Sequence, residues 1–381
     1  MNIILHDNNL HLRFAPLTLT RPVGDLRVGI LTNTERWAKW IPEASISFRT
    51  ESYLSKKFPL TDDKDAVTVN AAVIPTEEIA AAVVLMETDQ VLLSGDNWIA
   101  KRGNASEKLV FKGQEPLVLH QRWDLYSLND QILVADFYLL TAGRDSQELS
   151  ETNTVIGDPS LIFLEEGAVV EACMLNTTAG PVYVGRDAEI MEGCMVRGPL
   201  ALGEHAVLKM GAKIYGATTI GPYCKVGGEV SNSVFHGYSN KGHDGFLGNA
   251  LVGEWCNFGA DSNTSNLKNN YSGVRAYSYE TSGEVETGLQ FMGVCMGDHS
   301  KCGINTMFNT ATVVGVSCNI YGGGFPKKHV PSFSWGGVEE TVPFKLDKAV
   351  DAANQMMGRR ALSLTEGDLE IFAFLSEQSG I

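Results

Sequence analysis

The sequence predicts an N-terminal α/β domain joined to a parallel β-helix, with a short helical cap at the C-terminus. Three observations support this fold class. Apolar residues recur at every sixth position between Val184 and Val226. Residues 1–150 lack this repeat and alternate short apolar runs with helix-compatible segments, and the last residues have helical composition. We therefore expect domains at 1–150 and 151–344 and a cap at 345–381.

The six-residue repeat is the strongest signal in the chain. Neither an α-helix nor a flat β-strand has a period of six, whereas each face of a parallel β-helix coil does. The small residues that follow four positions later would let the chain turn at each corner. The apolar positions are Val184, Ile190, Val196, Leu202, Leu208, Ile214, Ile220 and Val226.

In the N-terminal domain the apolar runs predict strands and the segments between them predict helices. The runs are residues 2–5, 66–74, 90–94 and 132–140, and the helix-compatible segments are residues 33–40 and 76–87. The polar stretch 142–153 is typical of a linker.

The rest of the chain suggests an interrupted solenoid. A looser run at Ile156, Ile162, Ala168 and Met174 precedes the strong one. Residues 231–249 and 266–288 break the register and are interpreted as two excursions, where binding residues are commonly mounted. The period returns at Val252 and Phe258, and again at Met296, Cys302, Phe308, Val314 and Ile320. Pro326 and Pro331 are expected to end the coil, and helices over 346–360 and 365–374 to cap it.

Composition narrows the function. A net charge of -15 argues against binding to nucleic acid or anionic membranes, because phosphates would be repelled. The N-terminus has no basic leader, and no apolar run reaches 18 residues, so a soluble cytoplasmic protein is expected. Seven cysteines without a CxxC pair indicate reduced thiols.

A polar, glycine-containing motif follows the strong hexad run. It begins with residues 240–249, which read Asn-Lys-Gly-His-Asp-Gly-Phe-Leu-Gly-Asn, and continues through 254–260 and 265–268. This segment resembles the left-handed β-helix acetyltransferase half of the bifunctional enzymes that make UDP-N-acetylglucosamine, in particular their shorter form. The resemblance implies an acetyl-CoA-dependent N-acetyltransferase for glucosamine 1-phosphate or a similar amino-sugar phosphate. It also implies a homotrimer.

The resemblance assigns roles to individual residues. His243 stands at the place of the general base, a task that suits an imidazole because its pKa is near neutrality. Asn257 would orient it. Lys209 stands at the place of a phosphate-binding arginine, Asn266 at that of a substrate-binding asparagine, and Lys268 is a further cation.

Three departures from the family pattern concern the sugar site. Phe246 replaces a tyrosine, Ser231 a lysine and Asn249 an aspartate. Together they remove a hydroxyl, a positive charge and a negative charge, so the acyl acceptor can differ from glucosamine 1-phosphate.

The N-terminal segment 12–22 resembles a degenerate nucleotidyltransferase signature, which has lost some of its characteristic residues. Asp7-Asn-Asn-Leu10 replaces the glycines that admit nucleotide phosphates, and Arg13, Arg21 and Arg27 could supply the positive charge. The resemblance implies UTP or another NTP with Mg²⁺. Gly95-Asp96 is either a magnesium ligand or a hairpin turn, and the turn is the better interpretation.

Three rival interpretations follow. A zinc hydratase of the γ-carbonic-anhydrase type is disfavoured because His236 and His243 have the wrong spacing for its ligands. A non-catalytic sugar-nucleotide sensor or scaffold would explain why the N-terminal loop lacks the glycines of the signature. An acyltransferase for a different sugar nucleotide could use His299 as a second base, although a polar turn is the better interpretation of that residue.

Overall fold

The computed structural model describes residues 1–61 and 63–378. Its N-terminal part contains a six-stranded mixed sheet in the order β2-β1-β3-β5-β4-β6. The strands are β1 (Asn2–His6), β2 (Ser45–Arg49), β3 (Val67–Asn70), β4 (Gln90–Ser94), β5 (Asn97–Arg102) and β6 (Glu107–Val110). β1 pairs in parallel with β2 and β3, so the carboxyl ends of these three strands meet at one edge.

The described residues of the N-terminal part also form five α-helices, namely α1 (His11–Phe14), α2 (Asn33–Trp40), α3 (Glu77–Val84), α4 (Asp124–Ser127) and α5 (Asn129–Thr141). Short 3-10 helices cover Leu17–Thr20, Val23–Asp25 and Ser52–Leu54. Thr32 and Glu35 form a capping box that starts α2. The strand prediction for residues 132–140 is wrong: they form most of α5, whose apolar side chains pack partly in the core of the N-terminal sheet, through Ile132, and partly on the coil, through Leu133 and Phe137.

Most of the rest of the chain is a three-sided parallel coil that begins with residues 154–156 and has a 3-10 turn at Pro159–Leu161 between its first two strands. The first face contains β7 (Thr154–Ile156), β10 (Met174–Asn176), β13 (Met195–Arg197), β16 (Lys213–Tyr215), β19 (Glu229–Ser231) and β22 (Phe246–Gly248). The second face contains β8 (Ile162–Leu164), β11 (Val182–Val184), β14 (Leu200–Leu202), β17 (Thr218–Ile220), β20 (Val234–Gly237), β23 (Leu251–Glu254), β28 (Cys295–Met296), β31 (Val313–Val314) and β33 (His329–Val330).

The third face contains β9 (Val169–Val170), β12 (Glu189–Ile190), β15 (Val207–Leu208), β18 (Lys225–Val226), β21 (Asn240–Lys241), β24 (Asn257–Phe258), β29 (Lys301–Cys302), β32 (Asn319–Ile320), β34 (Ser334–Gly336) and β35 (Thr341–Pro343). β25 (Asn263–Thr264) pairs with β30 (Met307–Phe308), and β26 (Arg275–Ser278) forms an antiparallel hairpin with β27 (Gly283–Glu286). Strand pairing therefore continues beyond Pro331, later than predicted.

The interior of the coil confirms the strong hexad run, because all eight predicted residues from Val184 to Val226 are at most 2% exposed. The looser first run is only half right. Ile162 and Ala168 are buried, but Ile156 and Met174 are each 41% exposed, and Leu164 and Val170 fill the interior instead. The loop before Pro181 shifts the phase.

The first predicted excursion, 231–249, is also wrong. β20 pairs with β17, and β21 pairs with β18, so the coil continues through this segment with altered turns. The second excursion is real: residues 266–288 leave the coil and form the β26–β27 hairpin.

The N-terminal part packs along the second face of the coil. Leu133 and Phe137 of α5 share a buried cluster with Phe163 and Tyr183, which point outward from that face. Next to them, Asn129 donates through Nδ2 to the carbonyl oxygen of Ala217 at 2.9 Å. The N-terminal part of the same chain thus covers the second face of the coil.

The two predicted C-terminal helices are α6 (Leu346–Gly358) and α7 (Glu366–Gln378). They pack beside the coil, along the corner between its second and third faces, where Trp255 and Phe333 join their buried cluster. Among the residues that the structure describes, no helix has the length and apolar character needed to span a membrane.

Candidate functional site

A cavity of about 550 Å³ lies on the third face of the coil. Its floor is a ladder of outward-facing residues on adjacent parallel strands. Lys225 pairs with Asn240, and Asn240 pairs with Asn257. The alternation along each strand sends their buried neighbours inward, so these three polar side chains stack about 4.8 Å apart on the outer surface. The strands therefore give the cavity a polar floor. We call the whole cavity the acyl cavity.

One rim of the acyl cavity is the corner between the third and first faces, and it carries His243 and Lys209. The two lie side by side, since a Cβ added to Gly242 would be 3.9 Å from Cγ of Lys209. The His243 side chain is exposed, and its backbone carbonyl accepts a hydrogen bond of 2.5 Å from Nζ of Lys241. The loop that presents the imidazole is thus anchored from within the coil.

The opposite rim is the C-terminal end of α6, which contributes Arg359 and Arg360. Arg360 donates through Nη2 to the carbonyl oxygen of Tyr223 at 2.8 Å and lies 5.5 Å from the centre of the Tyr223 ring. Arg359 is exposed. Neither arginine nor Lys225 was predicted from the sequence to belong to a site. The only local signal was the Arg-Arg pair at the end of a predicted helix.

The charge of the acyl cavity differs from that of the whole molecule. Its described lining contains four cations, Lys209, Lys225, Arg359 and Arg360, and no carboxylate. In a chain with a net charge of -15, this local positive potential selects for an anionic ligand. Oδ1 of Asn240 is buried and has no hydrogen-bond partner among the described residues, so a ligand N–H or O–H group could satisfy it.

The other predicted substrate-binding residues lie elsewhere. Asn266 donates through Nδ2 to Oδ1 of Asn249 at 2.8 Å. The Phe246 ring lies close to both residues, next to Gly248. They form a separate group at the end of the first face. Lys268 donates to the carbonyl oxygen of Gly273 at 2.6 Å. The structure therefore brings together His243, Asn257 and Lys209, and keeps Phe246, Asn249, Asn266 and Lys268 outside the acyl cavity.

The three arginines predicted to bind a nucleotide all have protein partners. Arg21 is buried and pairs with Asp298 and, at 3.0 Å, with Glu254. Although burial opposes the effect, the charge of Arg21 holds the pKa of Glu254 below its usual value. These contacts join the N-terminal part to the coil, so a nucleotide would have to displace them.

The other two arginines are also engaged. Arg27 is buried and donates through Nη1 to the Ile30 carbonyl oxygen at 2.6 Å and to Glu35 at 3.2 Å. Arg13 is half-buried and pairs with Glu280 of the hairpin at 3.1 Å. A role for the three arginines in nucleotide binding stays a prediction, and Arg13 is the one that solvent reaches.

The remaining candidates have structural explanations. Gly95-Asp96 forms the hairpin turn between β4 and β5, as predicted. His299 is buried at the corner where α7 packs, and burial lowers its pKa to about 4. His236 is buried under the N-terminal part, while His243 is exposed at another corner, so the two do not converge. In the described ranges, no group of three or more His, Cys, Asp or Glu side chains could hold a metal ion.

Comparison with known proteins gives two kinds of sequence match. Residues 3–145 match the family model of sugar nucleotidyl transferases. The bifunctional protein GlmU of Synechococcus elongatus is 23% identical over 229 residues, which cover 55% of this chain and 46% of that protein. GlmU of Thermus thermophilus is 34% identical over 147 residues, which cover 32% of this chain and 31% of that protein. The chain thus spans less than half the length of the curated relatives it matches.

Among solved structures, the polysialic acid acetyltransferase NeuO aligns with 56% of this chain and 99% of its own, at 11% identity and a TM-score of 0.28. An Arabidopsis UDP-N-acetylglucosamine acyltransferase aligns with 60% of this chain and 90% of its own, at 14% identity and a TM-score of 0.19. The chain thus combines an N-terminal part that matches the sugar nucleotidyl transferase model with a three-sided parallel coil, and it is similar in sequence to part of the GlmU proteins.

Proposed function

We propose that the chain is an acetyl-CoA-dependent N-acetyltransferase that acts on an amino-sugar phosphate of the glucosamine 1-phosphate type. The observation that carries this proposal is the acyl cavity, in which His243 and Asn257 lie among four cations on a polar floor. Both proposed substrates carry phosphate groups, which match that charge. An exposed imidazole in a cationic cavity has no role in the packing of the coil.

The proposed reaction is a direct transfer. The sugar amine attacks the thioester carbonyl, and the His243 imidazole takes the proton that the nitrogen loses as the C–N bond forms. The tetrahedral adduct then expels the CoA thiolate, which receives a proton, and an amide remains on the sugar. Asn257, on the cavity floor, would orient the imidazole or the substrate. Lys209, Lys225, Arg359 and Arg360 would hold the phosphates of donor and acceptor.

The acceptor requires its own test because the proposed sugar contacts differ from the family pattern. The Phe246 ring offers no hydroxyl group, and the side chain of Asn249 already accepts a hydrogen bond from Asn266. If Phe246, Asn249, Asn266 and Lys268 touch the acceptor, they do so from the first face, beyond the His243 corner. We therefore propose a phosphorylated amino sugar as the class and glucosamine 1-phosphate as its first candidate.

For the N-terminal part we propose a UDP-N-acetylglucosamine diphosphorylase-like role, with UTP or another NTP and Mg²⁺ as the expected substrates. The family model matched by residues 3–145 supports it. The loop after β1 sets a limit, because the Asp7 carboxylate accepts hydrogen bonds from the Val23 amide and the Thr50 hydroxyl at the place where phosphates would approach. Pyrophosphate release from UTP and N-acetylglucosamine 1-phosphate distinguishes turnover from binding alone.

The test of the acetyltransferase is the release of CoA thiol from acetyl-CoA in the presence of phosphorylated amino sugars. We expect His243→Ala to lower kcat by about 10²–10⁴-fold, because a positioned general base contributes that much. The matched control is His120→Ala, which removes an exposed histidine of the N-terminal part and should leave the rate unchanged.

Two outcomes would contradict the proposal. One is an unchanged rate in His243→Ala. The other is the absence of thiol release by the wild-type protein with every phosphorylated amino sugar tried, which would favour the non-catalytic sensor. We also propose a homotrimer, which sedimentation equilibrium would measure.

A further inference from the structure

A second cavity, of about 420 Å³, lies where four segments of the chain meet. Tyr53 contributes to it from the N-terminal part, Tyr277 from the hairpin, His329 from the end of the coil and Phe374 from α7. We call it the junction cavity. None of the described residues lines both this cavity and the acyl cavity, and nothing in the proposed acetyl transfer uses it.

Flat rings form the walls of the junction cavity. Tyr53 and Phe374 are stacked with their ring centres 4.1 Å apart and their planes at 12°. Tyr277 and His329 are stacked at 3.5 Å and 6°. Two stacked pairs present wide planar surfaces, which favour a planar ring over an aliphatic ligand.

Two polar atoms on residues that line the junction cavity are buried and lack a hydrogen-bond partner within residues 1–61 and 63–378. They are Oη of Tyr279 and Nε2 of His329. A buried polar group without a partner is destabilising, so two of them on one cavity point to a ligand that supplies the partners.

The contacts of His11 engage both of its ring nitrogens. The Tyr53 hydroxyl donates to the carbonyl oxygen of Leu19 at 3.0 Å, so it must accept from Nε2 of His11, also at 3.0 Å. Nδ1 of this imidazole faces the Asp7 carboxylate at 3.7 Å, so the hydrogen bonds to a ligand come from Tyr279 and His329. Tyr279 still has a hydroxyl proton to donate. Burial lowers the pKa of His329 to about 4, so its ring is neutral and brings one donor and one acceptor.

Charge excludes phosphates from the junction cavity. The only charged side chain in its described lining is Glu51, an exposed carboxylate, and no lysine or arginine is present. The acyl cavity has the opposite character. The volume lies within the range of about 300–1,000 Å³ that is typical of small-molecule sites.

From these observations we infer that the junction cavity binds an uncharged planar nitrogen heterocycle, a free base or its nucleoside, through ring stacking and hydrogen bonds. The ligand would contact all four segments at once. Its binding should therefore stabilise the association of the hairpin and α7 with the N-terminal part.

The experiment measures thermal midpoints and binding heats of the full chain with adenosine, guanosine, cytidine, uridine and nicotinamide as probes. We expect at least one probe to raise the midpoint in a concentration-dependent way. Tyr279→Phe should weaken that probe's binding about tenfold, because it deletes one hydrogen-bonding group and keeps the ring. The matched control, Tyr271→Phe, removes an exposed hydroxyl of the same excursion and should bind like the wild type.

A second measurement compares ligands of different charge. The 5′-monophosphate of the bound nucleoside should bind more weakly than the nucleoside, and Glu51→Gln should reduce this difference in affinity. The inference is overturned if none of the probes binds, or if Tyr279→Phe binds the active probe as tightly as the wild type. Tyr279→Phe leaves no new space and removes an unpaired hydroxyl, so its midpoint without ligand should not fall.

Discussion

Lys241 is a lysine inside an apolar coil. It pairs with Val226 of the preceding coil and occupies the same inward position, only 2% exposed. Its amine donates to the carbonyl oxygens of Gly227 at 3.1 Å and His243 at 2.5 Å. Burial lowers its pKa to about 8. The residue therefore stabilises the His243 loop at the cost of a charge in the coil interior.

This cost predicts a pH dependence of stability. Between pH 8 and about pH 10.5 the unfolded chain binds the Lys241 proton and the folded chain does not, so the free energy of unfolding rises with pH. Relative to Lys241→Met, the wild type should gain about 3 kcal/mol across this interval. Urea unfolding of both proteins at the two ends of the interval measures it.

Lys225→Met is the control for this effect, because it makes the same substitution one strand earlier at an exposed position. Its pH dependence should follow the wild type. If Lys241→Met shows the same rise in stability as the wild type, the buried amine is not its source.

Single residues show where sequence reasoning succeeded and where it stopped. His243, Asn257 and Lys209 could be predicted to lie together because consecutive coils place them on one corner and one face. Arg21 looked like a phosphate ligand because its partners Glu254 and Asp298 lie more than 200 positions away. Only the docking of the two parts shows that the charge is already neutralised.

At the scale of elements, the hexads identified the coil because its period is local. The excursion at residues 231–249 was predicted wrongly because strand pairing tolerates turns of different length, which a fixed period cannot describe. The α5 helix was missed because its apolar residues face two partners, Ile132 the core of the N-terminal sheet and Leu133 and Phe137 the second face of the coil, so that no single apolar stripe marks a helix. Long-range packing, which a single sequence hides, decides both cases.

The end of α6 makes a prediction about substrate binding. Arg359 lies on the rim of the acyl cavity opposite His243, and in the proposed function its charge would attract phosphate from there. Arg359→Ser should raise KM for acetyl-CoA about five- to tenfold, weaken the salt dependence of kcat/KM and leave kcat within about twofold. Steady-state kinetics at two ionic strengths measure this.

Arg186→Ser is the matched control, since it removes an exposed arginine from the coil surface outside the acyl cavity. It should not change KM. A drop in kcat of Arg359→Ser at unchanged KM would contradict the assignment of this rim to binding.

At the scale of the whole molecule, a buried ionic cluster fastens the N-terminal part to the coil. Arg21 contacts Glu254 and Asp298, and the Thr20 hydroxyl donates to the same Asp298 at 2.7 Å. Arg21→Met leaves two carboxylates without their cation and should lower the free energy of unfolding by about 3–5 kcal/mol. Chemical denaturation measures it.

Arg13→Met is the comparison, because Arg13 also pairs across the two parts, with Glu280, but at the surface. The loss there should be at most about 1 kcal/mol, since water screens exposed pairs. Equal losses in the two variants would show that burial of the Arg21 cluster has no energetic consequence.

The covered second face has a consequence for assembly. From Phe163 to Val313, the outward side chains of that face are at most 9% exposed within a single chain. A neighbouring copy that packs directly on the coil can therefore do so only on its first or third face, and the corner where those two faces meet carries His243. An assembly built through both of these faces would place the imidazole at or beside a seam between subunits.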